Sequence, residues 1–155
     1  MKKYSKLIII ILIILVAIIF LSRCFSIYSN KSELEHGKAI INGQEVWLEI
    51  AKTPAEQEKG LSGRDALAED EGMLFVFEVK GKPAFWMKDM KFPLDLIWLD
   101  NDKVVDISKN VPVPAGENPL PLYRPVSDIN YVLEVNAGFA AKNNLQLGDK
   151  IQLEF

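Results

Sequence analysis

Three hydrophobic patterns divide the chain. From Leu7 to Leu21, fifteen apolar residues run without a break. Residues 26–37 are polar and show no period. From Lys38 onward the apolar residues come in short runs, several alternating with polar ones and separated by Gly, Pro, Asn and Asp. A continuous apolar run suggests a membrane span, and short punctuated runs suggest strands. As a helix the first run covers about 22 Å at roughly 1.5 Å per residue, short of a hydrocarbon core of about 30 Å. Extension through Tyr4 and Phe25, with Lys6 and Arg23 reaching for the interface, closes most of that gap. The expectation is one transmembrane helix within residues 4–25. A cleaved signal would need small residues at the cut, which Ser26-Ile27-Tyr28-Ser29 supplies poorly. A lipoprotein signal would place a small residue before Cys24, where Arg23 stands.

Within the downstream region, Lys38–Ile41, Asn42-Gly43 and Gln44–Ala51 predict a hairpin with a type I′ turn. Val46, Leu48 and Ile50 form its apolar face, and Trp47 lies with Glu45 and Glu49 on the other. Thr53-Pro54-Ala55-Glu56 predicts a capped helix start, with Thr53 as the cap and Glu56 closing a capping box; the helix ends near Gly60. Met73–Phe77, Leu94–Leu99, Lys103–Ser108, Tyr131–Val135 and Lys150–Phe155 are predicted strands. A short helical segment is expected after Asn136-Ala137-Gly138. Val111 to Pro125 holds five of the eight prolines, and a long loop of that kind is commonly functional; it is expected to form an ordered lid ending at Tyr123 and Arg124. The predicted fold is mainly β with one or two short helices, a small antiparallel barrel-like domain.

Charge then narrows the partners. Lys2, Lys3 and Lys6 precede the apolar run, so the positive-inside bias puts the N-terminus in the cytoplasm and the domain on the outer side of the cell membrane. The expected organisation is a cytoplasmic tip and anchor at 1–25, a stalk at 26–37 and an extracytoplasmic domain at 38–155. That domain carries 13 Lys and Arg against 19 Asp and Glu, a formal charge of −6. Nucleic acid asks for a basic surface and is not an expected partner. The expected partners are the lipid bilayer, through residues 4–25, and a small ligand or a protein of the cell envelope. His36 is the only histidine and Cys24 the only cysteine. Zinc sites, His-based triads and intramolecular disulfides therefore lack material. Asp100 and Asp102 begin like a calcium loop, but the downstream Gly and Glu are missing. No metal or cofactor is expected.

The densest chemistry lies between Gly72 and Asp100, which holds two of the three Trp and three of the four Met. Gly60-Leu61 with Arg64, Gly72-Met73-Leu74-Phe75, Phe85-Trp86-Met87-Lys88, Pro93-Leu94-Asp95, Tyr131-Val132-Leu133-Glu134 and Gly148-Asp149 occur in that order. From about Gly37 onward this sequence resembles the prokaryotic family called domain of unknown function 192. The resemblance implies a compact β-barrel-like domain, often exported or tethered, and no established activity. Asp89 stands where the family pattern usually has Asn, and Met90 where Thr is common. The two cysteines that many members carry in the Pro-rich loop are absent.

Arg64, Trp86, Lys88, Asp95 and Glu134 form the candidate site. In one reading it is a polar network in which Arg64 offers its fork to Asp95 or Glu134. In a second, Trp86 is a stacking surface with Arg64 and Lys88 as donors to an anionic or hydroxylated ligand. In a third, Asp95 and Glu134 are a carboxylate pair acting on carbohydrate. Asp95 is expected to be partly buried with Arg64 as its cationic partner. The functional expectation is a membrane-anchored binding or scaffold module, with the carboxylate enzyme as alternative.

Overall fold

The computed structural model describes residues 13–20, 22, 34–116 and 119–155. Residues 13–20 are helical with exposed side chains. Among the described residues no helix is long and apolar enough to cross a membrane. They therefore give the expected span no support, and the rest of residues 4–25 lies outside them. The compact unit that follows runs from Leu34 to Phe155.

That unit begins with strands β1 (Glu35–Ile41) and β2 (Gln44–Ala51), then helix α1 (Pro54–Lys59). Strands β3 (Glu71–Gly81), β4 (Leu94–Asp100), β5 (Lys103–Val111) and β6 (Ile129–Asn136) follow, then helix α2 (Phe139–Lys142) and strand β7 (Gln152–Glu154). The β1–β2 turn has Asn42 at φ 49° and Gly43 at φ 86°, the two positive values a type I′ turn requires. Thr53 caps α1: its Oγ1 accepts from the Glu56 N–H, and the Glu56 carboxylate accepts from the Thr53 N–H at 2.8 Å. One expectation changes here. His36, expected in the stalk, lies within β1 opposite Glu49. The Phe85–Asp89 segment lies outside the named strands, in a twelve-residue loop between β3 and β4.

The seven strands form one sheet in the order β5-β4-β6-β3-β2-β1-β7. It is antiparallel except between β2 and β3, which run parallel. That pair needs a crossover, and residues 52–70, which include α1, provide it. The sheet curls so that its two edges meet at one corner. There Lys103 and Lys150 form a bridge, with Val104 N–H donating to Asp149 O at 2.9 Å and Gly148 N–H to Val104 O at 2.8 Å.

Both faces of the central strands are buried. The inner face, with Leu48, Leu74, Ile97, Leu99, Leu133 and Val135, packs around Phe139 and Ala140 of α2. The outer face, with Met73, Phe75, Leu94, Leu96, Trp98 and Val132, is covered by the loops after α1 and β3. Leu94–Leu99 is buried at every position, which explains why it reads as a continuous run rather than an alternating one.

Candidate functional site

Side-chain alternation along β6 decides the geometry. Val135 joins the inner core and Val132 the outer one, so Glu134 projects outward. On β4, Asp95 is opposite Val135 and Leu96 opposite Glu134. Directly paired residues share a face. Asp95 and Glu134 are therefore on opposite faces of the sheet and cannot act together on one substrate. The carboxylate-pair reading is corrected on this ground.

Asp95 is fully buried, and its partners are backbone amides. Asn110 N–H donates to Oδ1 at 2.7 Å and Ala140 N–H to Oδ2 at 2.9 Å. The expected partner, Arg64, lies beyond the sheet. It makes a bidentate pair with Glu49, Nη1 to Oε1 at 2.6 Å and Nη2 to Oε2 at 2.5 Å. The reason lies in the register. Glu49, Met73, Glu134 and Leu96 form one row across β2, β3, β6 and β4. Arg64, in the loop after α1, reaches the first carboxylate of that row, Glu49, and not the second, Glu134. Its hydrogen bonds hold the Glu49 carboxyl below the usual range, and Glu49 in turn raises the Arg64 guanidinium.

Glu134 is left without a counter-ion. It is 6% exposed, and among the described residues its carboxyl has no hydrogen-bond or ion-pair partner. Burial pushes its pKa up to about 8, with the charge of Arg64 acting weakly in the other direction. No fully enclosed side-chain oxygen or nitrogen among the described residues lacks a partner. The carboxyl thus keeps an opening, which is a cavity of about 240 Å3.

Local sequence builds the walls of this cavity. Gln57 of α1 donates through Nε2 to the Val76 carbonyl at 2.8 Å, fixing the helix against β3. Gly60 follows at φ 44°, where a Cβ would come within 3.2 Å of Phe75 Cζ; only glycine suits both the backbone and the contact. Leu61 and Ser62 continue that wall. The opposite wall is the loop after β3. Phe85 exchanges two backbone hydrogen bonds with Tyr123, each 2.9 Å, so the Pro-rich segment clamps this loop in place. The Phe85 ring meets Phe75 edge-on at 4.9 Å and Trp98 at 5.4 Å. Phe77 lines the cavity too, and Trp86, 45% exposed, forms its rim.

Trp86 and Glu134 are thus the two expected site residues that meet in one cavity. Lys88 lies against the ring of Trp86, its Nζ 5.9 Å from the centroid, and lines a second, shallow depression beside the cavity. With Arg64 bound to Glu49 and Lys88 outside, neither expected donor to an anion faces the cavity floor. Glu49, Leu61, Phe75 and Phe77 were not among the expected residues. Glu49 was legible only as a charged neighbour of Trp47, and the Phe residues as part of an aromatic-rich stretch.

A family model matches residues 37–153, that of DUF192, described as an uncharacterised ACR. The chain belongs to the DUF192 family. Two solved structures have a similar fold. A protein of unknown function from Novosphingobium aromaticivorans DSM 12444 is 32% identical with a TM-score of 0.69, over 79% of this chain and 89% of that one. A proposed transcription regulator from Sinorhizobium meliloti 1021 is 26% identical with a TM-score of 0.71, over 80% of this chain and 98% of that one. No curated protein matches. Of the DUF192-like motifs in the sequence, Gly60-Leu61, Phe75, Phe85-Trp86 and Glu134 line the cavity, whereas Gly148-Asp149 closes the barrel corner. The departure at Asp89 is explained locally. That residue sits at φ 56° and its carbonyl accepts from Gly63 N–H at 2.9 Å. After glycine, Asn and Asp are among the residues that best tolerate such a backbone, so the position serves through its main chain. Met90, at the other departure, is buried against the cavity.

Proposed function

We propose that this DUF192 domain is a small-molecule-binding module, held at the outer face of the cell membrane by residues 4–25. One observation carries the binding reading: a buried carboxyl without a partner opens into a cavity walled by aromatic rings. Buried polar groups in folded proteins are normally satisfied, and an orphan one facing a small aromatic cavity is a ligand contact in waiting. At about 240 Å3 the cavity is at the small end of the usual range of roughly 300–1,000 Å3, which suits a compact ligand. With Asp95 on the other face of the sheet, the Asp95–Glu134 pair is not available for hydrolysis, and binding without turnover is favoured. The acidic domain does not support nucleic acid as a partner, whatever role the Sinorhizobium relative has. The anchor rests on the unbroken Leu7–Leu21 run and its lysine-rich N-terminal flank.

A small-molecule fragment screen by NMR on the detergent-solubilised full chain tests the binding reading. Hits should shift signals of Leu61, Phe85, Trp86 and Glu134 and be recovered chemically unchanged. Hits that spare these signals, or that are converted, would overturn it. Protease added to intact spheroplasts should degrade the domain; full protection there would refute the outer location.

A further inference from the structure

We propose that the cavity takes a small organic cation, a substituted ammonium whose charge seats against Glu134 and whose apolar part packs on Phe75, Phe77 and Phe85. This rests on the cavity being a binding site and adds the class of its ligand. The argument begins with the charge the fold has left out. Glu134 shares its row with Glu49, yet the nearby guanidinium is taken up bidentately by Glu49. A cation delivered from outside is what completes the row.

The walls then select the kind of cation. Phenylalanine and tryptophan rings attract cations through their faces. Three Phe and Trp86 line this one cavity. A metal ion would need several oxygen, nitrogen or sulfur ligands, and among the described residues no three His, Cys, Asp or Glu converge. An organic ammonium needs one counter-charge and an apolar surround, and that is what is present.

The remaining charged groups agree. Glu58 and Lys59 line the cavity from the α1 side. The Lys59 ammonium is turned to the Ser62 carbonyl at 2.8 Å, and Glu58 adds a carboxylate at the mouth. Arg64 acts on Glu134 from a distance, already neutralised by Glu49. The strand residues flanking Glu134, Met73 and Leu96, are apolar. Because burial holds Glu134 protonated at pH 7, seating a fixed cation drives its O–H proton to the buffer and leaves the carboxylate paired with the ligand.

Benzyltrimethylammonium, whose charge does not titrate, is the probe, with benzyl alcohol and benzoate as neutral and anionic counterparts. Calorimetry on the full chain in detergent, at pH 7 in two buffers of different ionisation enthalpy, should show binding of the cation with release of close to one proton. Its affinity should rise about tenfold from pH 7 to pH 9, as Glu134 comes to be ionised before binding. Glu134→Gln should weaken binding at least tenfold and abolish both the proton release and the pH dependence. Should that variant fail to fold, the pH dependence and proton release of the parent decide the matter. Equal or tighter binding of benzyl alcohol or benzoate at the cavity would overturn the cation and leave the binding module standing. If none of the three binds there while the fragment screen does give cavity hits, the cation again fails alone. Absence of cavity hits in both experiments overturns both.

Discussion

Replacing Glu134 with Gln should change how stability depends on pH, by an amount the structure sets. The folded carboxyl has a pKa of about 8 against 4.5 for the free group. Between those values the folded chain holds a proton that the unfolded chain has released. Stability therefore falls as pH rises from about 4.5 to about 8, and is level on either side. At 1.36 kcal/mol per pH unit the full excursion is about 5 kcal/mol. Glutamine keeps the size of the protonated side chain but cannot ionise. The variant should match the parent near pH 4.5 and exceed it increasingly toward pH 8. Urea unfolding of both proteins at pH 4.5, 6, 7 and 8.5 measures the difference directly, and other titrating groups cancel in it. Parallel pH profiles for the two proteins would refute the reasoning, for Glu134 would then titrate as a solvated carboxyl.

Asp95→Asn exchanges an acceptor for a donor facing a backbone N–H, and should cost about 2–4 kcal/mol in the same assay at pH 7. Arg64→Met breaks a half-exposed pair with Glu49 and should cost about 1 kcal/mol. The two losses should add to within about 0.5 kcal/mol, and a large coupling would contradict the separation of these residues by the sheet. Gly72→Ala would bring a Cβ within 2.9 Å of the Glu134 carbonyl and should lower stability by about 1–3 kcal/mol. Thr53→Ala should cost roughly 0.5–2 kcal/mol through loss of the α1 cap; an unchanged unfolding midpoint would show that the cap is idle.

The parts of this fold that depend on neighbours in sequence were legible. The Asn42-Gly43 turn, the Thr53 capping box and the start of α2 after Gly138 each follow from a few adjacent residues, and each is found where expected. The alternation of Asp95 with Ile97 and Leu99, against Leu94, Leu96 and Trp98, was legible as well. The partner of Asp95 was not, because it is main chain: an amide of Asn110 or Ala140 carries no signature in the side-chain sequence. The pairing of Arg64 with Glu49 depends on β2 lying parallel to β3, a long-range arrangement that periodicity does not encode. Glu134 could be read as a carboxylate among apolar neighbours. That it shares a cavity with Trp86 depends on how the Phe85 loop folds back and is fastened at Tyr123.

Strand β4 is apolar on both sides, and this gives Asp95 a task beyond its two hydrogen bonds. A strand with one wet face is held in place because slipping by one residue turns its apolar side chains out to water. Leu94–Leu99 has no such penalty: after a one-residue slip its leucines and tryptophan would still be buried, merely in the opposite layer. Asp95 breaks that degeneracy. Slipped by one, its carboxylate would leave the Asn110 and Ala140 amides and face the apolar layer of Met73, Phe75 and Val132. One acidic residue thus makes a single alignment of this buried strand acceptable. The cost of a buried charge in the wrong layer selects among alignments that hydrophobicity alone leaves nearly equal.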